Sequence, residues 1–172
     1  DPDVLWIGTH GGGLNRFDRA TETFRHFRND ANNSRSISSN AIWLIHEDRA
    51  GRIWIATEAE GLNEFDPATE TFRHYQHDPK NPNSLSNNSI WSIHEDDDGV
   101  LWIGTRAGLN RFDPQTETFK HYREKDGLPN EVIYGILGDE HGHLWLSTNK
   151  GLSRFDPQAE TFRNYDVHDG LQ

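Results

Sequence analysis

Four polar side chains lie in the same tight turn of four copies of a repeated segment. His10 and Glu58 belong to the first two copies, and Arg106 and Lys150 to the last two. Such groups can hydrogen-bond a polar ligand or pair with its charge. Because the residue changes from copy to copy on an otherwise repeated scaffold, we expect these positions to contact a ligand.

Three aromatic residues form a second set of candidate ligand contacts. Trp43, Trp91 and Tyr134 each stand 11 residues before the tryptophan of the next copy. Packing between neighbouring blades is the favoured role of these rings, and contact with a ligand is the alternative.

The remaining chemistry-bearing residues indicate structural roles. The histidines that recur once per copy are expected to support the fold; they are His26, His46, His74, His94 and His121. Asp96 to Gly99 predicts a hairpin turn, because the closing Glu of a calcium loop is missing. His10 has no counterpart in the other copies, and a solvated loop is an equal alternative to a ligand contact there. No nucleophile–base pair, metal-spaced cluster or phosphate loop is present in the sequence, and cysteine is absent. We therefore expect no enzyme activity, cofactor or metal.

The elements that must position these residues come from the repeat itself. Residues 101–122, LWIGTRAGLNRFDPQTETFKHY, recur four times, and their tryptophans lie 48, 48 and 43 residues apart. That period is typical of one four-stranded propeller blade.

Each copy predicts short strands rather than helices. The runs are rich in Trp, Ile and Thr and are bounded by Gly, Asp or Pro. We name them strand A (AIWLIHE, 41–47), B (LWIGT), C (LNRF) and D (TFKHY), joined by tight turns as an antiparallel meander. Trp6, Trp54, Trp102 and Trp145 on the B strands are expected in the core. The predicted fold is all-β, a single propeller domain over residues 1–172, and a solenoid is the less suitable alternative. The expected blades are 1–28 (strands B to D only), 41–76, 89–123 and 132–165.

The two ends of the predicted sheets differ in net charge. The A–B and C–D turns together hold 14 acidic residues and three arginines, which accounts for the whole net charge of −11. The other end, made of B–C turns and D–A connections, varies between copies; we call it the variable rim. Its expected basic residues are Arg28, Arg35, Lys80, Arg106, Lys125 and Lys150. A chain this acidic is a poor candidate for nucleic-acid binding, whereas an oligosaccharide, including one with a carboxylate or sulfate, suits the variable rim.

Four segments resemble the repeats of the two-component regulator propeller family: LWIGT, GLNRFDPQTETFKHY, SLSNNSIWSIHED and DDDGVLWIGT. The resemblance implies a sensor propeller on the extracytoplasmic side of a bacterial hybrid histidine kinase, hence a periplasmic or extracellular location. It also implies many more blades in a ring, followed by a membrane helix and a kinase. No apolar run in this chain is long enough to span a membrane, and no targeting peptide opens it.

Four B–C–D sets but only three A strands predict that the first blade lacks its innermost strand. Four blades with the wedge angle of a larger propeller would form an arc with apolar end faces, so we expect a homo-oligomer, with two copies closing a ring of about eight blades. Three function classes remain open. They are a ligand-binding sensor module, a structural or engineered propeller fragment that self-assembles, and a lyase of the streptogramin-lyase type.

Overall fold

The computed structural model describes residues 3–171, which form β-strands and two 3₁₀ turns. The chain divides into two compact units, Asp1–Gln76 (unit 1) and His77–Gln172 (unit 2). Unit 1 holds β1 (Val4–Thr9), β2 (Gly13–Asp18), β3 (Thr23–Phe27), β4 (Ile42–Glu47), β5 (Ile53–Thr57), β6 (Leu62–Asp66) and β7 (Thr71–Tyr75). Unit 2 holds β8 (Ile90–Glu95), β9 (Leu101–Thr105), β10 (Gly108–Asp113), β11 (Thr118–Tyr122), β12 (Ile133–Gly138), β13 (Leu144–Thr148), β14 (Gly151–Asp156) and β15 (Thr161–Tyr165).

Each sheet is an antiparallel meander in chain order. Unit 1 contains the three-stranded sheet β1-β2-β3 and the four-stranded sheet β4-β5-β6-β7. Unit 2 contains two four-stranded sheets, β8 to β11 and β12 to β15. The predicted all-β fold with one three-stranded and three four-stranded sheets is confirmed. The 3₁₀ turns, Glu124–Asp126 and Val167–Asp169, lie just after β11 and β15.

Every A strand is interrupted near its start. The pairing register shifts between Ile42 and Leu44, between Ile90 and Ser92, and between Ile133 and Gly135. The residues inside these three β-bulges are Trp43, Trp91 and Tyr134. A bulge bends its strand and redirects the side chain of the extra residue. The bulges therefore set the direction of these three aromatic side chains.

The A–B turns are built around an aspartate. In unit 1, Asp48 Oδ1 accepts hydrogen bonds from the backbone N–H groups of Ala50 (3.0 Å) and Arg52 (2.9 Å), and Gly51 closes the turn at φ 78°. The other oxygen, Oδ2, accepts from the indole N–H of Trp54 at 2.9 Å and from Arg52 Nε at 2.6 Å. The turn therefore also fixes the first large side chain of the following strand.

The C–D turns share an unusual backbone feature. Their glutamates, Glu22, Glu70, Glu117 and Glu160, all adopt the left-handed conformation with φ between 53° and 57°. This conformation is unfavourable for a residue with a Cβ, and the preceding Asp compensates by binding the turn. Asp66, for example, accepts from Ala68 N at 2.9 Å and from Thr69 Oγ1 at 2.7 Å.

Aromatic rings form the core between the sheets of each unit. In unit 1, Phe65 and Phe72 are buried with Leu14, Ile37, Ile42, Ile53 and Ile55, and Trp6 and Phe27 pack on them. In unit 2, Trp102, Tyr122, Leu128 and Phe155 belong to one buried cluster. Trp54 and Trp102 are fully buried as predicted. Trp6 and Trp145 are only partly buried.

Candidate functional site

The variable rim of unit 2 brings two predicted aromatic residues together. The rings of Trp91 on β8 and Tyr134 on β12 lie 5.7 Å apart at an interplanar angle of 60°. Tyr134 keeps 47% of its surface exposed, while Trp91 is partly buried. Both residues sit in β-bulges at the start of neighbouring A strands. The two rings therefore make a contact between sheets, while Tyr134 remains accessible to solvent.

Polar groups of the last B–C turn adjoin this aromatic pair. The Tyr134 hydroxyl donates to Asn149 Oδ1 at 2.9 Å, and the next residue, Lys150, places Nζ 3.9 Å from Glu124 Oε1. Asn149 and Lys150 also line a cleft of about 720 Å³ together with Asp166 and Leu171. An amide, a cation and an exposed ring thus lie close together on one surface.

A smaller cleft on unit 2 carries positive charge. It measures about 400 Å³ and is lined by His121, Arg123, Lys125 and Glu131. Arg123 begins the connection that leaves β11, and its carbonyl accepts from Asp126 N at 2.9 Å. Two permanent cations beside one carboxylate give this cleft a net positive charge, which favours an anionic ligand group.

His121 in that cleft is held in its neutral form. Burial lowers its pKa, and the charges of Arg123 and Lys125 lower the pKa further against the opposing hydrogen bond to Ser84. Its Nε2–H donates to the Ser84 carbonyl at 2.7 Å. His74 makes the same bond to the Ser36 carbonyl in unit 1, also at 2.7 Å. These two recurring histidines therefore fasten a D–A connection onto strand D.

In unit 1, the variable rim pairs two predicted ligand contacts with each other. His10 Nε2 lies 3.2 Å from Glu58 Oε2, and both side chains are largely exposed. The backbone of Ala41 joins the two turns that carry these side chains. Glu58 N donates to the Ala41 carbonyl at 3.1 Å, and His10 forms an isolated antiparallel β-bridge with Ala41. Trp43 on this rim is 50% exposed.

Arg106 is exposed on the third B–C turn, with its backbone N–H bound to the Ser89 carbonyl at 3.2 Å. The seven candidate residues therefore occupy two surfaces, one on each unit, and their role in binding stays a prediction. His10, Glu58 and Trp43 belong to unit 1, whereas Trp91, Arg106, Tyr134 and Lys150 belong to unit 2.

One basic residue lies away from the predicted rim. The Arg35 carbonyl accepts from Phe72 N at 2.9 Å, near the start of β7. Its side chain lines a cleft of about 480 Å³ with Gly51, Asp66 and Pro67, which belong to the A–B and C–D turns. The placement of Arg35 on the variable rim was wrong. The connection that leaves β3 runs along β7, strand D of the next sheet, before it reaches strand A at β4.

Residues 3–171 contain no helix long and apolar enough to cross a membrane. The same range contains no group of three or more His, Asp or Glu side chains arranged to hold a metal ion.

Sequence comparison identifies the repeats. Residues 36–59, 84–107 and 127–150 match the family described as the two component regulator propeller. These three segments are therefore similar to the repeats of that family. Each match runs from the end of a D–A connection through strands A and B to the B–C turn, so these propeller repeats include the bulged aromatic residue. Among curated proteins, none is significantly similar to the chain.

Solved structures show which proteins share the arrangement. The extracellular domain of a hybrid two-component system from B. thetaiotaomicron is 28% identical, with a TM-score of 0.85 over 96% of this chain and 23% of its own length. A second such domain from the same organism is 25% identical, with a TM-score of 0.81 over 100% of this chain and 25% of its own length. The chain thus spans about a quarter of the domains it matches. Virginiamycin B lyase from Staphylococcus aureus, at 14% identity and a TM-score of 0.70 over 95% of this chain and 52% of its own length, shares the fold alone.

Proposed function

We propose that this chain is part of an extracytoplasmic sensor propeller that binds an oligosaccharide on its variable rim. The matches to two component regulator propeller repeats and the two extracellular domains of hybrid two-component systems, at 28% and 25% identity, support the sensor class and a periplasmic or extracellular location. The lyase alternative has only a shared fold behind it.

The observation that carries the proposal is the aromatic pair of unit 2. Trp91 and Tyr134 lie 5.7 Å apart, each in a β-bulge, and Tyr134 is bound to Asn149. Rigid aromatic rings offer a large contact area at small entropic cost, and a side-chain amide supplies both donors and acceptors. A sugar ring presents an apolar face and a rim of hydroxyl groups, so it matches both features.

The charge of the adjoining clefts indicates the kind of sugar. Lys150 lines the cleft that adjoins Tyr134 through Asn149, and Arg123 and Lys125 line a second cleft on unit 2. Because charge-assisted bonds to carboxylate or sulfate are stronger than neutral ones, an acidic oligosaccharide is the favoured ligand. A neutral oligosaccharide would use only the rings and the amide.

A glycan array followed by calorimetry tests the proposal. The immobilised sugars should include uronic-acid oligosaccharides, sulfated oligosaccharides and their neutral counterparts. We expect binding to acidic members, and Tyr134→Ala should weaken it about tenfold, as the loss of one aromatic contact does. Lys125→Ala should weaken the binding of acidic oligosaccharides more than the binding of neutral ones.

Leu137→Ala is the matched control for Tyr134→Ala. Leu137 lies on the same strand, is 73% exposed and stands toward the opposite end of β12. Binding should survive this change. Equal losses in the two variants, or no binding to any glycan on the array, would refute an oligosaccharide site on this rim.

A further inference from the structure

The two sheets of unit 1 contact each other through a repeated set of residues. From β1–β3, Trp6 and Phe27 pack on Phe65 of the next sheet, with ring centroids 5.2 Å and 4.9 Å away. At the edge of this contact, Arg25 forms an ion pair with Glu70, the left-handed residue of the C–D turn. The sheet that comes first in the chain thus contributes a tryptophan, the ring at the end of strand D and a cation.

Unit 2 repeats this contact with equivalent residues. Trp102 and Tyr122 of the sheet β8–β11 pack on Phe155, at 5.5 Å and 4.8 Å. Lys120 forms an ion pair with Glu160, and the Tyr122 hydroxyl donates to the same carboxylate at 2.9 Å. We call the side that gives Trp, strand-D ring and cation the donor face, and the side that gives two Phe and the Glu the acceptor face.

The connection between the sheets of unit 2 adds to the contact. After β11, the turn Glu124–Asp126 leads to Gly127 and Leu128, and Leu128 is buried in the shared core. Asn164 Nδ2 of the last sheet donates to the Gly127 carbonyl at 3.0 Å. The segment 123–128 therefore forms part of the donor face.

The first sheet of the chain carries an acceptor face of its own. Phe17 and Phe24 pair at 4.6 Å, and Glu22 has the left-handed φ of 54°. Phe24 is 55% exposed, whereas its counterparts Phe72 and Phe119 are each 6% exposed.

The polar residues of this face have different hydrogen-bond partners from their counterparts in the other sheets. His26 Nδ1 lies 2.6 Å from Asn15 Oδ1. The equivalent His74 binds the carbonyl of a connecting segment, and the equivalent Asn63 accepts from Ser38 N at 2.9 Å. The first sheet therefore has the groups that receive such a segment in the other copies.

The last sheet carries a complete donor face. Trp145 and Tyr165 stack at 5.6 Å, and the Arg163 guanidinium lies 5.0 Å from the Tyr165 ring. The segment 166–171 repeats the geometry of 123–128. In both 3₁₀ turns the carboxylate of the last residue, Asp126 or Asp169, accepts from the backbone N–H of the residue before the turn, and a left-handed glycine follows. The segment 166–171 thus already has the shape that 123–128 has in its contact with the next sheet. A segment that is already ordered loses less entropy when it binds a partner.

We propose that the donor face of the last sheet docks onto the acceptor face of the first sheet in a second copy of this chain. Trp145 and Tyr165 then pack on Phe17 and Phe24, Arg163 pairs with Glu22, and Leu171 enters the shared core. The contact is head-to-tail, so it leads to a closed ring or to a longer array.

Solution mass and charge exchange test the proposal. Light scattering at micromolar concentration should give a multiple of the 19.8 kDa chain mass. Arg163→Glu alone and Glu22→Arg alone should each weaken association about tenfold or more, because like charges then face each other. An equimolar mixture of the two variants should regain association, because every contact between unlike variants again joins opposite charges.

Lys80→Glu is the matched control, because it makes the same charge change on an exposed residue outside both faces. It should leave the mass unchanged. A monomer throughout the micromolar range would overturn the proposal. So would an oligomer that Arg163→Glu and Glu22→Arg leave intact, or one that the mixture fails to restore.

Discussion

The indole N–H of Trp54 donates to Asp48 Oδ2 at 2.9 Å, and the same bond joins Trp102 to Asp96 at 2.7 Å and Trp145 to Asp139 at 3.0 Å. In these three copies a turn residue thus satisfies the one polar group of the B-strand tryptophan. For Asp48, burial alone would raise the carboxyl pKa. The hydrogen bonds from Trp54 and Arg52 outweigh that effect and hold the pKa below its ordinary value.

Asp48→Ala should destabilise the protein by about 2 to 3 kcal/mol, because it leaves the buried Trp54 N–H and the Arg52 groups without their acceptor. Urea unfolding monitored by tryptophan fluorescence measures this change. The exposed turn residue Asp98 provides the control, and Asp98→Ala should change the free energy of unfolding by less than about 0.5 kcal/mol. Equal effects of the two substitutions would contradict the role of the buried carboxylate.

Trp102→Ala should cost about 3 to 5 kcal/mol, the range for removing a large buried aromatic side chain. Trp102 is 1% exposed and contacts the rings of Tyr122 and Phe155. Arg106→Ala, on the exposed turn that follows the same strand, should leave the thermal midpoint nearly unchanged. A large loss on Arg106→Ala would mean that the variable rim has been assigned to the wrong end.

His121 should make stability depend on pH in a defined direction. Because its folded pKa is lowered, its contribution is complete above the unfolded pKa of about 6.5 and decreases as pH falls through the folded pKa. Between the two pKa values the unfolded chain binds a proton at His121, whereas the folded chain does not. His121→Asn should remove this dependence, since Asn164 binds the equivalent carbonyl in the last sheet.

The measurement is the free energy of unfolding of both proteins between about pH 7.5 and pH 5, on either side of the unfolded pKa. Wild type should lose more stability than His121→Asn as the pH falls. Parallel pH profiles would show that His121 is not held neutral in the folded state.

Local patterns allowed the strands and turns to be predicted. Short runs such as LWIGT, and Asp followed three residues later by Gly, depend on neighbours in the chain, so the sheets follow from the sequence. The aspartate six residues before the B-strand tryptophan in the last three copies was visible too. The Asp–Gly pattern predicts the turn, and the six-residue spacing is the additional signal for the Asp48–Trp54 bond.

Long-range geometry could not be predicted in the same way. Nothing in AIWLIHE marks Trp43 as the bulged residue, because the apolar run is continuous. The bond from His74 to the Ser36 carbonyl joins residues 38 positions apart. Arg35 was misplaced for a related reason. Its position in the chain shows that it lies in a connection, but the path of that connection is set by backbone bonds to β7.

We propose that the two ends of these sheets have different roles, structural at the A–B and C–D turns and ligand-binding at the variable rim. Titrating isotope-labelled protein with a uronic-acid oligosaccharide, while recording amide NMR shifts, tests this most directly. We expect shifts concentrated around Trp91, Arg123, Tyr134 and Asn149, with little change at Asp96–Gly99 or Asp113–Thr118. Shifts concentrated on those turns instead, or no shifts at saturating oligosaccharide, would contradict it.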